Sequence, residues 1–204
     1  MDALKIVGAR VFDGDSLVEK DLFVSDGRLV GEAPLGEART IDASDCYAIP
    51  GLVDVHSHGA VGHDFCDGTH EAIDAICRYQ ASRGVTAYCP ATMTYPEEKL
   101  AGIARCAAEH ADAADAAALV GINMEGPYIS PNKVGAQNPA YVQAPDAAMF
   151  ERLQDAAGGL FKIVDVAPEV EDALEFIKEQ GDKVRISIAH TCATYDQAKA
   201  AFDA

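Results

Sequence analysis

From Ile49 onward the sequence repeats one unit: a short apolar run of strand composition, a loop, then apolar residues at helical spacing. The strand candidates are residues 52–56, 85–89, 119–124, 162–166 and 184–189. Between them, Ile73, Ile76 and Cys77 precede Gly84, Leu100, Ile103, Ala104 and Ala107 follow Pro96, and Met149, Phe150 and Leu153 follow Pro145. Val170, Leu174 and Ile177 run up to Gly181, and Ala198 and Phe202 follow Thr194. Apolar residues three and four apart share one helix stripe, proline suits a first turn, and glycine suits a stop. Strand and helix in alternation imply parallel strands joined by right-handed crossovers, either in an open doubly wound sheet or in a closed (β/α)8 barrel.

The polar residues at the strand ends favour the barrel. His56 and His58, Glu125, and His190 fall at the C-terminal ends of the first, third and fifth candidates. A barrel gathers such ends at one mouth, whereas an open sheet spreads them along a crevice. The expected fold class is α/β: a partial (β/α)8 TIM-type barrel, its first five βα units occupying 49–204. A complete barrel takes about 250 residues and eight strands, and an open one leaves apolar edges bare, so the expectation is a piece of a longer protein. Residues 1–48 show no helical spacing. They read as strands at 4–12, 22–24, 28–32 and 39–41, with a type I′ hairpin signal at Asp26-Gly27 and a turn at Asp13-Gly14. So short an all-β segment needs strands from elsewhere to be stable.

His56 and His58 are two apart, so on an extended chain both rings leave one face. That makes a chelating pair for zinc or another first-row metal, or else two hydrogen-bonded polar residues at a strand end. His-x-His is too short a pattern to decide between these. Glu125 closes the apolar run Gly121-Ile122-Asn123-Met124, and His190 closes Ile186-Ser187-Ile188-Ala189. Each taken alone is an ordinary solvated strand end. Together the four supply the nitrogen and oxygen donors of a hydrolytic metal site. His63 reads as a loop residue, His70 and His110 as exposed helix positions, Lys133 as solvated, and Cys89 and Cys192 as packing residues.

Charge limits the partners. Asp and Glu number 33 against 16 Lys and Arg, a net charge of −17, which disfavours nucleic acid and anionic membranes. The six cysteines, at 46, 66, 77, 89, 106 and 192, contain no Cys-x-x-Cys pair and read as reduced thiols. Met1-Asp2-Ala3-Leu4-Lys5 lacks signal-peptide character and no apolar run approaches the ~18 residues of a membrane span, so the expected compartment is the cytoplasm.

Several stretches go further. Pro50-Gly51-Leu52-Val53-Asp54-Val55-His56-Ser57-His58-Gly59, Met124-Glu125-Gly126-Pro127-Tyr128-Ile129-Ser130-Pro131 and Lys133-Val134-Gly135-Ala136-Gln137-Asn138-Pro139 occur in that order, followed by Ala167-Pro168-Glu169 and Ala189-His190-Thr191-Cys192-Ala193-Thr194-Tyr195. With these the chain resembles the N-terminal part of the N-acetylglucosamine-6-phosphate deacetylase family of the amidohydrolase superfamily. The resemblance implies metal-assisted hydrolysis of N-acetylglucosamine 6-phosphate to glucosamine 6-phosphate and acetate, in amino-sugar catabolism. It implies that Glu125 and His190 are metal ligands, with His56 and His58 as the strand-one pair that some members keep. The cofactor implied is one or two divalent ions, zinc foremost, with iron or another divalent metal as alternatives. Ala136 and Gln137 match a loop that contacts the sugar, although many members carry His where Gln137 stands. A further ligand histidine on strand six, the aspartate serving as general acid and base on strand eight, and much of the phosphate site are expected beyond Ala204. The 204-residue chain alone is therefore expected to be inactive. Residues 1–48 would begin a small β-sandwich domain, and the full-length protein would be a homodimer acting on a small amino-sugar phosphate. A cyclic amidase of the same superfamily is the nearest alternative, but such enzymes usually carry a lysine at the end of strand four, where this chain has Asp165-Val166-Ala167. A non-catalytic metal-binding fragment is the other.

Overall fold

In the computed structural model, which describes residues 3–34 and 36–204, the chain forms two compact units, Met1–Gly51 and Leu52–Ala204. In the first, β1 (Ala3–Val7), β2 (Arg10–Phe12), β3 (Leu17–Glu19), β4 (Leu22–Ser25), β5 (Arg28–Val30), β6 (Arg39–Asp42) and β7 (Tyr47–Ala48) make two small sheets, ordered β5-β4-β1-β6 and β3-β2-β7. Asp26 and Gly27 take φ of 50° and 73°, the positive pair that a type I′ turn requires, and close the β4–β5 hairpin. The expected run 4–12 is two strands, because the chain leaves one sheet for the other at Gly8-Ala9. Leu17–Glu19 and Tyr47–Ala48 are strands that no sequence signal marked. Only Ala9 and Ala43 are buried among the described residues of this unit, so it has almost no core of its own.

The second unit carries the alternation. Its elements are β8 (Leu52–Asp54), a small hairpin of β9 (Gly59–Ala60) and β10 (His63–Asp64), α1 (His70–Ser82), β11 (Val85–Tyr88), α2 (Glu97–Ala108), β12 (Ala118–Leu119), β13 (Ile122–Met124), α3 (Ala147–Ala156), β14 (Phe161–Val166), α4 (Ala173–Gln180), β15 (Arg185–Ile188) and α5 (Tyr195–Asp203). Side chains fix several helix starts: Thr69, Asp146 and Thr194 each accept a backbone N–H from the first turn, at Ala72, Met149 and Gln197. The buried stripes follow the spacing on α1 (Ile73, Ile76, Cys77), α2 (Leu100, Ile103, Ala104) and α3 (Met149, Phe150, Leu153), but α4 buries Ala173, Phe176 and Ile177 with Leu174 only half-buried, and α5 buries Ala201 and leaves the expected Phe202 exposed. Phe150, Phe161, Phe176 and Tyr128 pack edge-on or tilted, with centroids 5.2–6.2 Å apart.

All five main strands are parallel, β8 to β11, β11 to β12, β13 to β14 and β14 to β15. The expected third strand is broken at Val120-Gly121 into β12 and β13. The first piece pairs back to β11 and the second forward to β14, with a parallel bridge between Ala91 and Asn123 joining the two halves. Spatial order therefore follows sequence order, without the reversal that defines a doubly wound sheet. At the ends of this order apolar side chains remain uncovered: Leu52, Val53 and Val55 on one side, Ile188 and Phe202 on the other.

Candidate metal centre

The first strand ends at Asp54, two residues short of the expectation, because the Asp54 side chain turns the chain that follows. Its Oδ1 accepts the His56 N–H at 3.0 Å, and its Oδ2 accepts Ser57 Oγ and Gln80 Nε2, both at 2.8 Å. An aspartate bonded two residues ahead makes a tight turn in place of strand. His56 and His58 thus stand in a braced loop, their ring centroids 5.4 Å apart and nearly perpendicular.

Both rings meet Glu125. This residue follows β13 directly and is 5% exposed. Its Oε2 lies 2.9 Å from His58 Nε2 and 3.4 Å from His56 Nε2, and its Oε1 lies 2.6 Å from His190 Nε2. Donor atoms of His56, His58 and Glu125 all fall within 4.8 Å of one another, while His190 joins through the other carboxylate oxygen. Burial alone would raise the Glu125 pKa, but the adjoining His58 and His190 rings outweigh it and hold the carboxyl down at about 2. Contact with the same carboxylate raises the pKa of His58, against the opposing pull of burial.

The donor set fits a divalent cation on two observations. Glu125 Oε2 is buried and accepts no hydrogen bond, although two rings stand close to it. His58 Nδ1 lies 3.2 Å from the Ala91 carbonyl and His190 Nδ1 2.9 Å from the Lys133 carbonyl. A carbonyl only accepts, so each Nδ1 carries the proton and each Nε2 is left to face the carboxylate with a lone pair or a second proton. A cation bound by these donors would take up the nitrogen lone pairs and the carboxylate charge together. His56 differs. Its Nδ1 is 3.0 Å from Asn123 Nδ2, which also donates to the Val55 carbonyl, while Asn123 Oδ1 is buried without a partner.

Two glycines permit the approach. Gly126, at φ 76°, runs so near Thr94 that a Cβ would lie 2.0 Å from its hydroxyl, and at Gly135, φ 58°, a Cβ would come within 3.1 Å of the His190 ring. His190 itself takes φ 45°, a left-handed backbone costing a residue with a Cβ about 1–2 kcal/mol.

Among the described residues no other candidate side chain bonds to Glu125. Gln137 is buried, its Oε1 accepting the Thr94 N–H at 2.6 Å, while Ala136 beside it is exposed. Lys133 is exposed as expected, and its carbonyl is the part that meets His190. His63 sits in β10. His70 is exposed at the start of α1, but the His110 side chain is only 3% exposed, contrary to expectation, because it lies beyond the end of α2 and stacks on His70 at 6.1 Å. Cys89 is buried, and burial pushes its thiol up to about 11, whereas Cys192 and Cys46 are exposed and do not pack in a core. Sequence reasoning missed Asn123, the bracing function of Asp54, and the two carbonyls behind the rings. A backbone acceptor leaves no mark in a sequence, but an aspartate two residues before a histidine does.

A family model for the amidohydrolase family matches residues 47–204. The N-acetylglucosamine-6-phosphate deacetylase of Bacillus subtilis (strain 168) is 33% identical over 155 residues, covering 74% of this chain and 39% of that protein. The N-acetylgalactosamine-6-phosphate deacetylase of Escherichia coli O157:H7 is 30% identical over 190 residues, covering 92% and 50%. A mutant N-acetyl-D-glucosamine-6-phosphate deacetylase of Mycobacterium smegmatis, solved in complex with N-acetyl-D-glucosamine-6-phosphate, aligns with a TM-score of 0.86 at 29% identity, covering 100% of this chain and 54% of that one. The chain spans about half the length of the curated relatives it matches. Since the matched span contains all five parallel strands and every residue of the histidine and glutamate cluster, the chain belongs to the amidohydrolase family.

Proposed function

We propose that this chain is the metal-holding part of an amino-sugar 6-phosphate deacetylase, which hydrolyses N-acetylglucosamine 6-phosphate to glucosamine 6-phosphate and acetate. The observation that carries the reading is the convergence of His56, His58 and His190 on the buried, otherwise unpartnered carboxylate of Glu125. The fold reading that goes with it is five consecutive βα units of a (β/α)8 barrel in Leu52–Ala204, supported by the unreversed strand order, after a first unit that begins a small β-sandwich. Zinc is the first choice of ion for this donor set, and iron or another divalent metal is compatible with it. The two oxygens of Glu125 face different rings, which supports room for two ions.

A cation held there supplies Lewis-acid polarisation of the acetyl carbonyl and activation of a water at neutral pH. The chain's own residues do the rest of the positioning. Glu125 and the three rings fix where the carbonyl must lie, and the Ala91 and Lys133 carbonyls hold His58 and His190 in the ligating tautomer. The exposure of Ala136, next to Gly135 where an added Cβ would come within 3.1 Å of the His190 ring, supports reading it as a sugar contact, whereas Gln137, whose Oε1 accepts the Thr94 N–H, reads as a support of that loop. Asp54 is held by three donors and Glu169 by Thr191 and Cys192, while Asp165 is buried with one carboxylate oxygen unpartnered and burial raising its pKa. The family resemblance, in which the acid and base is an aspartate of a later strand, is the ground for assigning that role to the rest of a longer protein, itself read as a cytoplasmic homodimer. No described helix is long and apolar enough to cross a membrane.

The E. coli relative favours one second reading, the galactosamine epimer of the substrate. The test is acetate release from both epimers by the longer gene product, chelated and then reconstituted with zinc, beside the 204-residue chain. Turnover of one epimer, only with metal and only by the longer product, is expected; loss of a general acid/base costs on the order of 10²–10⁴ in rate. A zinc-loaded longer product that turns over neither epimer overturns the proposal.

A further inference from the structure

Ala167-Pro168-Glu169 matches the resemblance but has no part in the ligand set. Glu169 leaves the end of β14 and reaches the turn that follows β15. Its Oε2 accepts the Thr191 hydroxyl at 2.5 Å and its Oε1 accepts the Cys192 N–H at 2.6 Å. Thr191 Oγ1 in turn accepts the Ala193 N–H at 2.8 Å, so one carboxylate anchors the whole turn. The residue just before that turn is His190, held at φ 45°, where its Cβ crowds the backbone. Its carbonyl accepts the Ser130 N–H at 3.0 Å and its Nδ1 meets the Lys133 carbonyl. These last contacts fix the histidine from the loop after β13 alone. Glu169 is what holds the chain immediately beyond it. A strained backbone persists where its surroundings over-determine it, and two short charge-assisted hydrogen bonds are the strongest such restraint at this turn.

We propose that Glu169 is a positioning residue that locks the Thr191-Cys192 turn, holds His190 in its left-handed conformation, and so aims His190 Nε2 at the Glu125 end of the metal centre. This rests on the reading of that centre as a metal site. Without Glu169 the turn relaxes toward an ordinary backbone, and the ring swings away from Glu125 Oε1.

The test is cobalt(II) titration of the full chain, followed by visible absorption and by competition with a chelator. Glu169→Ala should weaken cobalt binding by about 10–100-fold and alter the absorption bands, as loss of a residue that orients a ligand does. His190→Ala should weaken it at least as much, and the double variant should be no weaker than His190→Ala alone, since Glu169 acts only through that ring. If Glu169→Ala does not fold, Thr191→Val, which removes one hydrogen bond at nearly constant volume, should give a several-fold loss that likewise vanishes in the His190→Ala background. Unchanged binding in the foldable variant overturns the inference, and so does a loss that adds in full to that of His190→Ala. A wild-type chain that binds no cobalt, or a His190→Ala variant that binds it normally, overturns the site reading beneath it, a different and distinguishable result.

Discussion

Glu125→Gln removes the charge on which three imidazoles converge while keeping the side chain's shape. The fall of the Glu125 pKa from 4.5 to about 2 corresponds to about 3 kcal/mol, at about 1.4 kcal/mol per tenfold change in proton affinity. The His190, His58 and His56 side chains are 25%, 34% and 44% exposed, so water screens part of this and about 1–2 kcal/mol is expected. The pH window follows from the two groups. The Glu125 contribution is present above pH 4.5 and lost as pH falls through about 2. The His58 contribution, from a pKa raised above 6.5, is complete below 6.5 and lost as pH rises through the raised value. Urea unfolding in chelator should therefore show Glu125→Gln less stable than wild type by about 1–2 kcal/mol at a pH between those limits, with the gap narrowing in alkali. Zinc should reverse the trend. At alkaline pH, with free zinc at a hundred times its Kd, wild type should gain about 2.7 kcal/mol and the variant far less. A pH-independent loss, or a variant stabilised by zinc as fully as wild type, would refute the electrostatic account of this cluster.

Asp54→Ala strips acceptors from the His56 N–H, Ser57 Oγ and the buried Gln80 amide, and should cost about 2–3 kcal/mol in urea unfolding while also weakening zinc binding. Asp54→Asn, which keeps an acceptor, should recover part of both. Gln137→Ala leaves the Thr94 N–H without its partner and should cost about 1–3 kcal/mol with metal content unchanged, because Gln137 touches no member of the cluster; a drop in bound zinc would contradict this placement.

The stripes of α1, α2 and α3, the helix start at Thr194, the Asp26-Gly27 turn and the five apolar runs were legible in the sequence because each is decided by residues within about one turn or strand length of itself. That locality is also where sequence reading stops. Nothing local to residues 119–124 says that one half of the strand pairs backward and the other forward, since the break at Val120-Gly121 depends on what β11 and β14 offer on either side. The end of β8 at Asp54 is only partly local, since its bonds to the His56 N–H and Ser57 lie within three residues but the bond from Gln80 depends on where α1 comes to lie. The identities of His56, His58, Glu125 and His190 are written in the chain. Their meeting is not, for the Glu125 contact with His190 spans 65 residues and the Asn123 contact with His56 spans 67. Such distances close only when parallel strands stack in order and set their ends level, so the tertiary structure alone decided which oxygen faces which ring, which carbonyl fixes each tautomer, and that Gln137 turns inward.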